Sequence, residues 1–225
     1  MTVGPLVRAW GFGTETTTSE PPEAEVMDRL SQLTGPDRLR LDPGGTQVAK
    51  AHPGVSVDLS AVAKGYALEL AARGVQRMGG SDFALEVGGE VRAHGRRPDG
   101  GGWRVAIEAP TPDARTIFRT VELLDEAIAT SGDYRNFAEI EGVPVSHLID
   151  PRSGAPVTWR GFSVSVLHAE AAFADAWATA LSVLGPEEGL ALANRLGLSV
   201  VFVVPSGTGR FEAAATEDLA ARLQS

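Results

Sequence analysis

The sequence predicts an α+β fold, a mostly antiparallel sheet packed with helices, on three observations. Short strand-like runs predominate, few helices interrupt them, and their spacing is irregular where a doubly wound sheet would alternate regularly. No internal repeat or clear linker divides the 225 residues, so they are read as a single domain. Composition is that of a globular chain, with 43% apolar and 22% charged residues. A net charge of −9 without a Lys/Arg cluster argues against nucleic acid and anionic membrane surfaces as partners. No apolar run approaches about 18 residues, so no transmembrane segment is expected. The start lacks the basic and apolar regions of a signal peptide, which reads as cytoplasmic for the sequence as it stands. With no cysteine, disulfides, thiolate catalysis and Cys-based zinc sites are excluded together.

Residues 1–13, MTVGPLVRAWGFG, hold apolar residues broken by glycine, and 14–22 form a polar loop. Val26, Leu30 and Leu33 stand at helical spacing in 23–33, and Gly35-Pro36 ends that helix. Three β-like runs follow, at 38–41, 47–51 and 55–59, separated by DPGG and HPG turns. Ser60 is placed as the N-cap of a helix running to Met78, with Val62, Tyr66 and Leu70 facing the core. Lys64 and Gly65 fall in its first turn, where unbonded N–H groups and the helix dipole favour an anion; a lysine pointing to water fits the same pattern.

Strands at 83–87 and 91–94 flank Gly88-Gly89-Glu90 as a hairpin. A basic, glycine-rich loop at 96–102 leads to alternating strands at 103–108 and 117–123, and 162–168 is another. Residues 170–184 predict a second long helix, with Phe173, Trp177, Leu181 and Leu184 as its apolar stripe. On its other side Asp175 and Thr179 stand one turn apart among Ala172, Ala176, Ala178 and Ser182. Mg²⁺ takes one or two protein oxygens plus substrate phosphates, so this pair could supply a half-site. It also fits the polar face of a plain helix, although alanines rather than Lys and Glu line it. Gly185-Pro186 opens a further helix to Leu196, a buried strand covers 198–204, and a strand–helix pair ends the chain.

The stretch 127–154, AIATSGDYRNFAEIEGVPVSHLIDPRSG, concentrates the chemistry. It opens as an apolar strand, breaks at Ser131-Gly132, recovers through an aromatic run, and delivers His147 and Asp150 to the end of a second strand. Pro151 and Gly154 then force a turn. Glycine lets backbone N–H groups approach a phosphorylated ligand closely, and histidine titrates near neutral pH. A polar hairpin with a capping Asp is the plainer alternative.

No P-loop, GxGxxG, HExxH or GxSxG is present. Four blocks, VDLSAVAKGYA, LEVGGEVRAHG, AIATSGDYRNF with SHLIDPRSG, and FADAWATALSVLG, together with VGPLVRAWGFG near the start, instead resemble in order the signature blocks of the ApbE family of FAD:protein FMN transferases. The resemblance implies a T-fold-like α+β architecture over residues 1–225, without the family's usual N-terminal segment. It implies an enzyme that splits the FAD pyrophosphate, places FMN on a Thr or Ser of an acceptor flavoprotein through a phosphoester, and releases AMP. It also implies Mg²⁺, held by Asp175, Thr179, the Ala61 carbonyl and a contact at Ala178. By the same correspondence Asp58 and Lys64 contact FAD, His147 is the catalytic histidine and Ile149 a flavin contact. Gly88, Gly89, Ser131 and Gly132 fall in blocks that wall the ligand.

Glu90 stands where the family commonly has Asp, and Ser153 where it commonly has Thr. The larger departure is at the start: members carry a longer leading segment that includes FAD contacts and often an export or lipoprotein signal. Its lack would uncover Leu6, Trp10 and Phe12. The motifs alone do not separate a transferase from a FAD pyrophosphatase with water as acceptor, or from a flavin-binding relative without turnover.

Overall fold

The computed structural model describes residues 2–12, 20–111, 115–132, 137–158 and 161–224. In chain order these form α1 (Gly4–Ala9), α2 (Ala24–Ser31), β1 (Leu39–Leu41), β2 (Val48–Lys50), α3 (Ala63–Arg77), β3 (Phe83–Val87), β4 (Glu90–His94), β5 (Trp103–Glu108) and β6 (Ile117–Leu123). There follow β7 (Ala127–Gly132), β8 (Phe137–Ile140), β9 (Val143–Ile149), β10 (Pro156–Thr158), β11 (Ser163–His168), α4 (Ala171–Leu196), β12 (Ser199–Pro205), β13 (Phe211–Ala215) and α5 (Glu217–Ala220). Every described strand pairing is antiparallel, so the expected α+β class holds. Among the described residues no helix is long and apolar enough to cross a membrane.

The elements gather into two compact units. One comprises Met1–Leu59 and Asn136–Trp159. Its β10–β9–β8 sheet and β1–β2 hairpin accompany α1 and α2. α1 packs on α2 and β9 and buries Leu6 completely. Trp10 donates its indole N–H to the Gly154 carbonyl at 2.9 Å and, like Phe12, is half-buried. The expectation that Leu6 lies uncovered is therefore corrected, since an unforeseen helix buries it within its own unit, while Trp10 and Phe12 are covered only in part.

The second unit, Ser60–Arg135 with Arg160–Ser225, holds a six-stranded sheet in the order β13–β12–β11–β7–β4–β3. Alternation places Ala129, Val164, Val166, Val200 and Phe202 on the face that α4 covers with Ala174, Ala178 and Leu181. The opposite face sends Ala93, Ile128, Leu167, Val201 and Val203 against the β5–β6 hairpin and Leu219 of α5. With both faces covered, β12 reads as a continuous apolar run, and β11 is buried along nearly its whole length although Ser163 and Ser165 interrupt its apolar residues. Full burial of a side chain such as Phe202 or Leu181 is worth about 1.5–3 kcal/mol.

Several expectations change. Residues 55–59 form no strand, and α3 begins at Ala63, with Ser60 in the preceding turn rather than at its cap. α3 buries Gly65, Leu68, Glu69 and Ala72, whereas Tyr66 and Leu70 are exposed by 56% and 47%. The four-residue spacing of the larger side chains gives way to the face whose small residues admit α4. Phe173 is likewise exposed and meets the His168 ring, while Trp177, Leu181 and Leu184 pack inward. β7 does not break at Ser131 but pairs with β11 through Gly132. Gly185, at φ 80°, separates the two halves of α4 as its sequence implies. Residues 133–136 of the aromatic run, and 13–19 of the polar loop, lie outside the described residues.

Candidate active site

In the second unit, Lys64 and Gly65 of α3, Gly88 and Glu90 of the β3–β4 hairpin, Ser131 of β7, and Asp175 and Thr179 of α4 come together on the helix-covered side of the sheet. The crossing of the two helices sets their spacing. A Cβ on Gly65 would lie 2.3 Å from the Ala171 carbonyl oxygen and 2.8 Å from Asp175 Cβ, so only glycine lets the backbones approach this closely. The Gly65 N–H then donates to Asp175 Oδ2 at 2.9 Å. The first-turn anion site read from the sequence is thus filled from within the chain, by a carboxylate only 3% exposed.

Lys64 does not merely point to water. Its ammonium pairs with Glu90 Oε1, whose side chain is 2% exposed. Gly88 and Gly89, at φ 62° and 99°, make the two-residue turn that places Glu90 at the start of β4. Burial pushes the Glu90 carboxyl above its ordinary range; the Lys64 ammonium opposes that and the Asp175 charge adds to it. Thr179 Oγ1 lies 3.4 Å from Ser131 Oγ, a long contact between two hydroxyls. Gly132 continues β7 opposite Ser163, and Ala61 is half-buried in the turn before α3. Ala178, between Asp175 and Thr179, is fully buried in the core that α4 makes with the sheet.

Among the described residues no cluster of three or more His, Cys, Asp or Glu groups is placed to hold a metal ion. Asp175 nevertheless offers a buried carboxylate with one oxygen engaged by Gly65, near a second carboxylate on Glu90, and Thr179 adds a hydroxyl. Two acidic groups against the single charge of Lys64 leave an excess of negative charge. Oxygen donors few in number and net negative fit a hard cation that completes its shell with phosphate and water.

Asp58, His147 and Ile149 belong to the first unit. Asp58 is half-buried, and a Cβ on Gly4 would lie 3.2 Å from its Cβ. Ile149 is 4% exposed. His147, half-buried, lies on β9 where the pairing with β10 is irregular. Ile149 and Val145 pair with Pro156 and Thr158, so Ser146, His147 and Leu148 on β9 lie opposite Val157 alone on β10. Such bulges re-aim side chains and recur beside active sites. Asp150 follows, with Arg152 drawn onto its carboxylate at 2.7 Å, which makes it the anchor of the 150–155 turn rather than a reacting group.

Two acidic residues escaped the sequence reading. For Glu90 the signal is a charge next to a glycine turn at the head of a half-buried strand. Glu69, 8% exposed, accepts the Ala171 N–H at 3.3 Å, ties down Arg73 at 3.2 Å and lies 3.6 Å from Arg92. It serves as a remote cap for α4, whose own N-cap residue supplies no side-chain bond.

Comparison with known proteins adds the following. The ApbE family model matches residues 1–202. Curated relatives named FAD:protein FMN transferase include one from Vibrio cholerae and one from Escherichia coli, 41% and 39% identical over 209 residues. The alignments cover 93% and 92% of this chain, but 62% and 60% of the relatives, so the chain spans about three-fifths of their length. Among solved structures the chain is similar to the apo form of the Pseudomonas stutzeri flavinyl transferase ApbE, with a TM-score of 0.84 and 38% identity over 99% of this chain and 68% of that one. It is also similar to the ApbE protein of Thermotoga maritima, with a TM-score of 0.82 and 27% identity over 98% of this chain and 70% of that one.

Proposed function

This chain belongs to the ApbE family, and we propose that it acts as its curated relatives are named, as a FAD:protein FMN transferase. FAD is its substrate, a Thr or Ser hydroxyl of a flavoprotein acceptor takes the FMN through a phosphoester, and AMP leaves. The observation that carries the reading is the grouping of Lys64, the Gly88-Gly89 turn, Asp175 and Thr179 on one side of one sheet. A diphosphate needs a cation, close backbone approach and oxygen ligands for a counter-ion, and these residues supply all three. In this reading Mg²⁺, held by Asp175, Thr179 and the Ala61 carbonyl and packed against Ala178, would neutralise developing phosphate charge.

The chain's own residues do the rest. Lys64 holds the diphosphate by charge, and the side-chain-free Gly88-Gly89 turn, with Ser131 and Gly132, lets the ligand approach the backbone. Asp58 orients FAD and Ile149 offers the flavin an apolar contact. His147 takes the proton of the acceptor hydroxyl as its oxygen attacks the FMN phosphorus and the bond to AMP breaks. General-base help of this kind is worth about 10²–10⁴-fold. In this reading residues 1–225 make one ApbE-like domain.

The test incubates the protein with FAD, Mg²⁺ and a candidate acceptor, then reads flavin fluorescence on a denaturing gel. Covalent fluorescence with equimolar AMP is expected. AMP and free FMN without labelled acceptor would instead make the protein a pyrophosphatase, and neither product a flavin-binding relative. His147→Ala should keep FAD affinity and lose about 10²–10⁴-fold in transfer rate; loss of binding in step with rate would make it a ligand-packing residue.

A further inference from the structure

Glu90 is among the most buried charged groups of the described chain, at 1% exposure, and half of its carboxylate is unused. Oε1 receives the Lys64 ammonium, while Oε2 is buried with no hydrogen-bond partner among the described residues. A half-satisfied buried carboxylate is a poor stabilising device, since an apolar residue of similar volume avoids its desolvation. The surroundings show what it does instead. Lys64 lies 46% exposed on the first turn of α3, and its long stem would sample many rotamers if released. A Cβ on Gly88 would come within 3.1 Å of Lys64 Cδ and 3.6 Å of Glu90 Oε2, so the bare turn lies against both partners. β4 is fixed in the sheet through Ala93 and Val91, which makes Glu90 an immobile anchor and Lys64 the movable member.

We infer that Glu90 is a positioning residue that anchors the Lys64 ammonium beside the Gly88-Gly89 turn. The inference rests on the flavin-transferase reading for the diphosphate that Lys64 then meets. Pre-ordering removes the entropy that a free lysine would lose on contacting the ligand. Glu90 also subtracts one positive charge from the site, so it costs ground-state attraction for an anion. The two effects oppose each other in binding, and only ordering assists the reaction. Removing the Glu90 charge therefore separates rate from affinity.

The experiment compares full-chain wild type, Glu90→Gln, Lys64→Met, the double variant and Glu90→Asp. It reads turnover, KM for FAD, FAD and inorganic pyrophosphate binding by calorimetry, and stability by chemical denaturation. Glu90→Gln should lower kcat by about tenfold or more while KM stays within about threefold. The double variant should turn over within about threefold of Lys64→Met, because Glu90 acts through Lys64. Glu90→Asp, with the charge kept but withdrawn by one methylene, should recover part of the loss. An unchanged kcat in Glu90→Gln, or losses that multiply in the double variant, overturns the inference. Should wild type bind neither FAD nor pyrophosphate, the flavin reading fails instead; a denaturation cycle showing no coupling between positions 64 and 90 then overturns the anchor, and coupling upholds it.

Discussion

A single side chain often has one of two duties here, and the structure separates residues that look alike in sequence. His147 and Asp150 are three apart, yet Asp150 is engaged by Arg152 while His147 stands in a bulge of β9. The Arg152 side chain holds the Asp150 carboxyl below the usual carboxylate range, against an opposing effect of burial. A carboxylate whose folded pKa is depressed contributes stability that is present above its unfolded value and disappears as pH falls through its folded value. Asp150→Asn should therefore cost about 1 kcal/mol near neutral pH and progressively less in acid, until the two proteins unfold alike. Urea titrations at pH 7 and at successively lower pH check this. A pH-independent difference would mean that turn geometry, not charge, is what Asp150 supplies. Asp175 calls for similar care: Asp175→Ala would strand the buried Gly65 N–H, whereas Asp175→Asn keeps an acceptor and removes only the charge.

At the scale of elements, the crossing of α3 and α4 governs the site, and Gly65 governs the crossing. Any Cβ there meets Ala171 backbone at 2.3 Å and Asp175 Cβ at 2.8 Å, contacts that only displacement of a helix relieves. Gly65→Ala should destabilise by about 1–3 kcal/mol despite alanine's better helix propensity, and should weaken FAD binding along with it. Calorimetric unfolding and FAD titration on the same samples check both. A stabilised variant would show that the helices can separate without cost. This crossing also marks the limit of what the sequence discloses. The strands of the β3–β4 and β5–β6 hairpins and the apolar β12 follow from local alternation and turn glycines, which act within a few residues. The buried faces of α3 and α4 do not, because Tyr66, Leu70 and Phe173 stay exposed although they are as apolar as the residues that are buried around Gly65. Which face is buried was decided by how closely two backbones, over a hundred residues apart in sequence, can approach. Lys64, Asp175 and Thr179 were legible as chemistry from spacing and family resemblance. Glu90 is marked in sequence only by its place after the glycine turn, and Glu69 not at all, since its partners are set by tertiary contact alone.

For the molecule as a whole, electrostatics sets the conditions under which the proposed substrate binds. On that proposal, a chain of net charge −9 would take up an anionic dinucleotide against its own field. At the candidate site, Glu90 and Asp175 would oppose such a ligand and Lys64 would attract it. A divalent cation would reverse that balance, so FAD and Mg²⁺ should stabilise the fold together far more than separately. A ligand at a hundred times its dissociation constant adds about 2.7 kcal/mol. For a chain of this length that raises the unfolding temperature by roughly 5–11 °C. Thermal scans with FAD, with Mg²⁺ and with both should show the larger rise only in the last case. Asp175→Asn should lose this joint increment, and His147→Ala should keep most of it even though transfer slows. An undiminished joint increment in Asp175→Asn would place the cation away from α4. Equal loss in both variants would mean that His147 belongs to the binding of FAD rather than to the proton transfer.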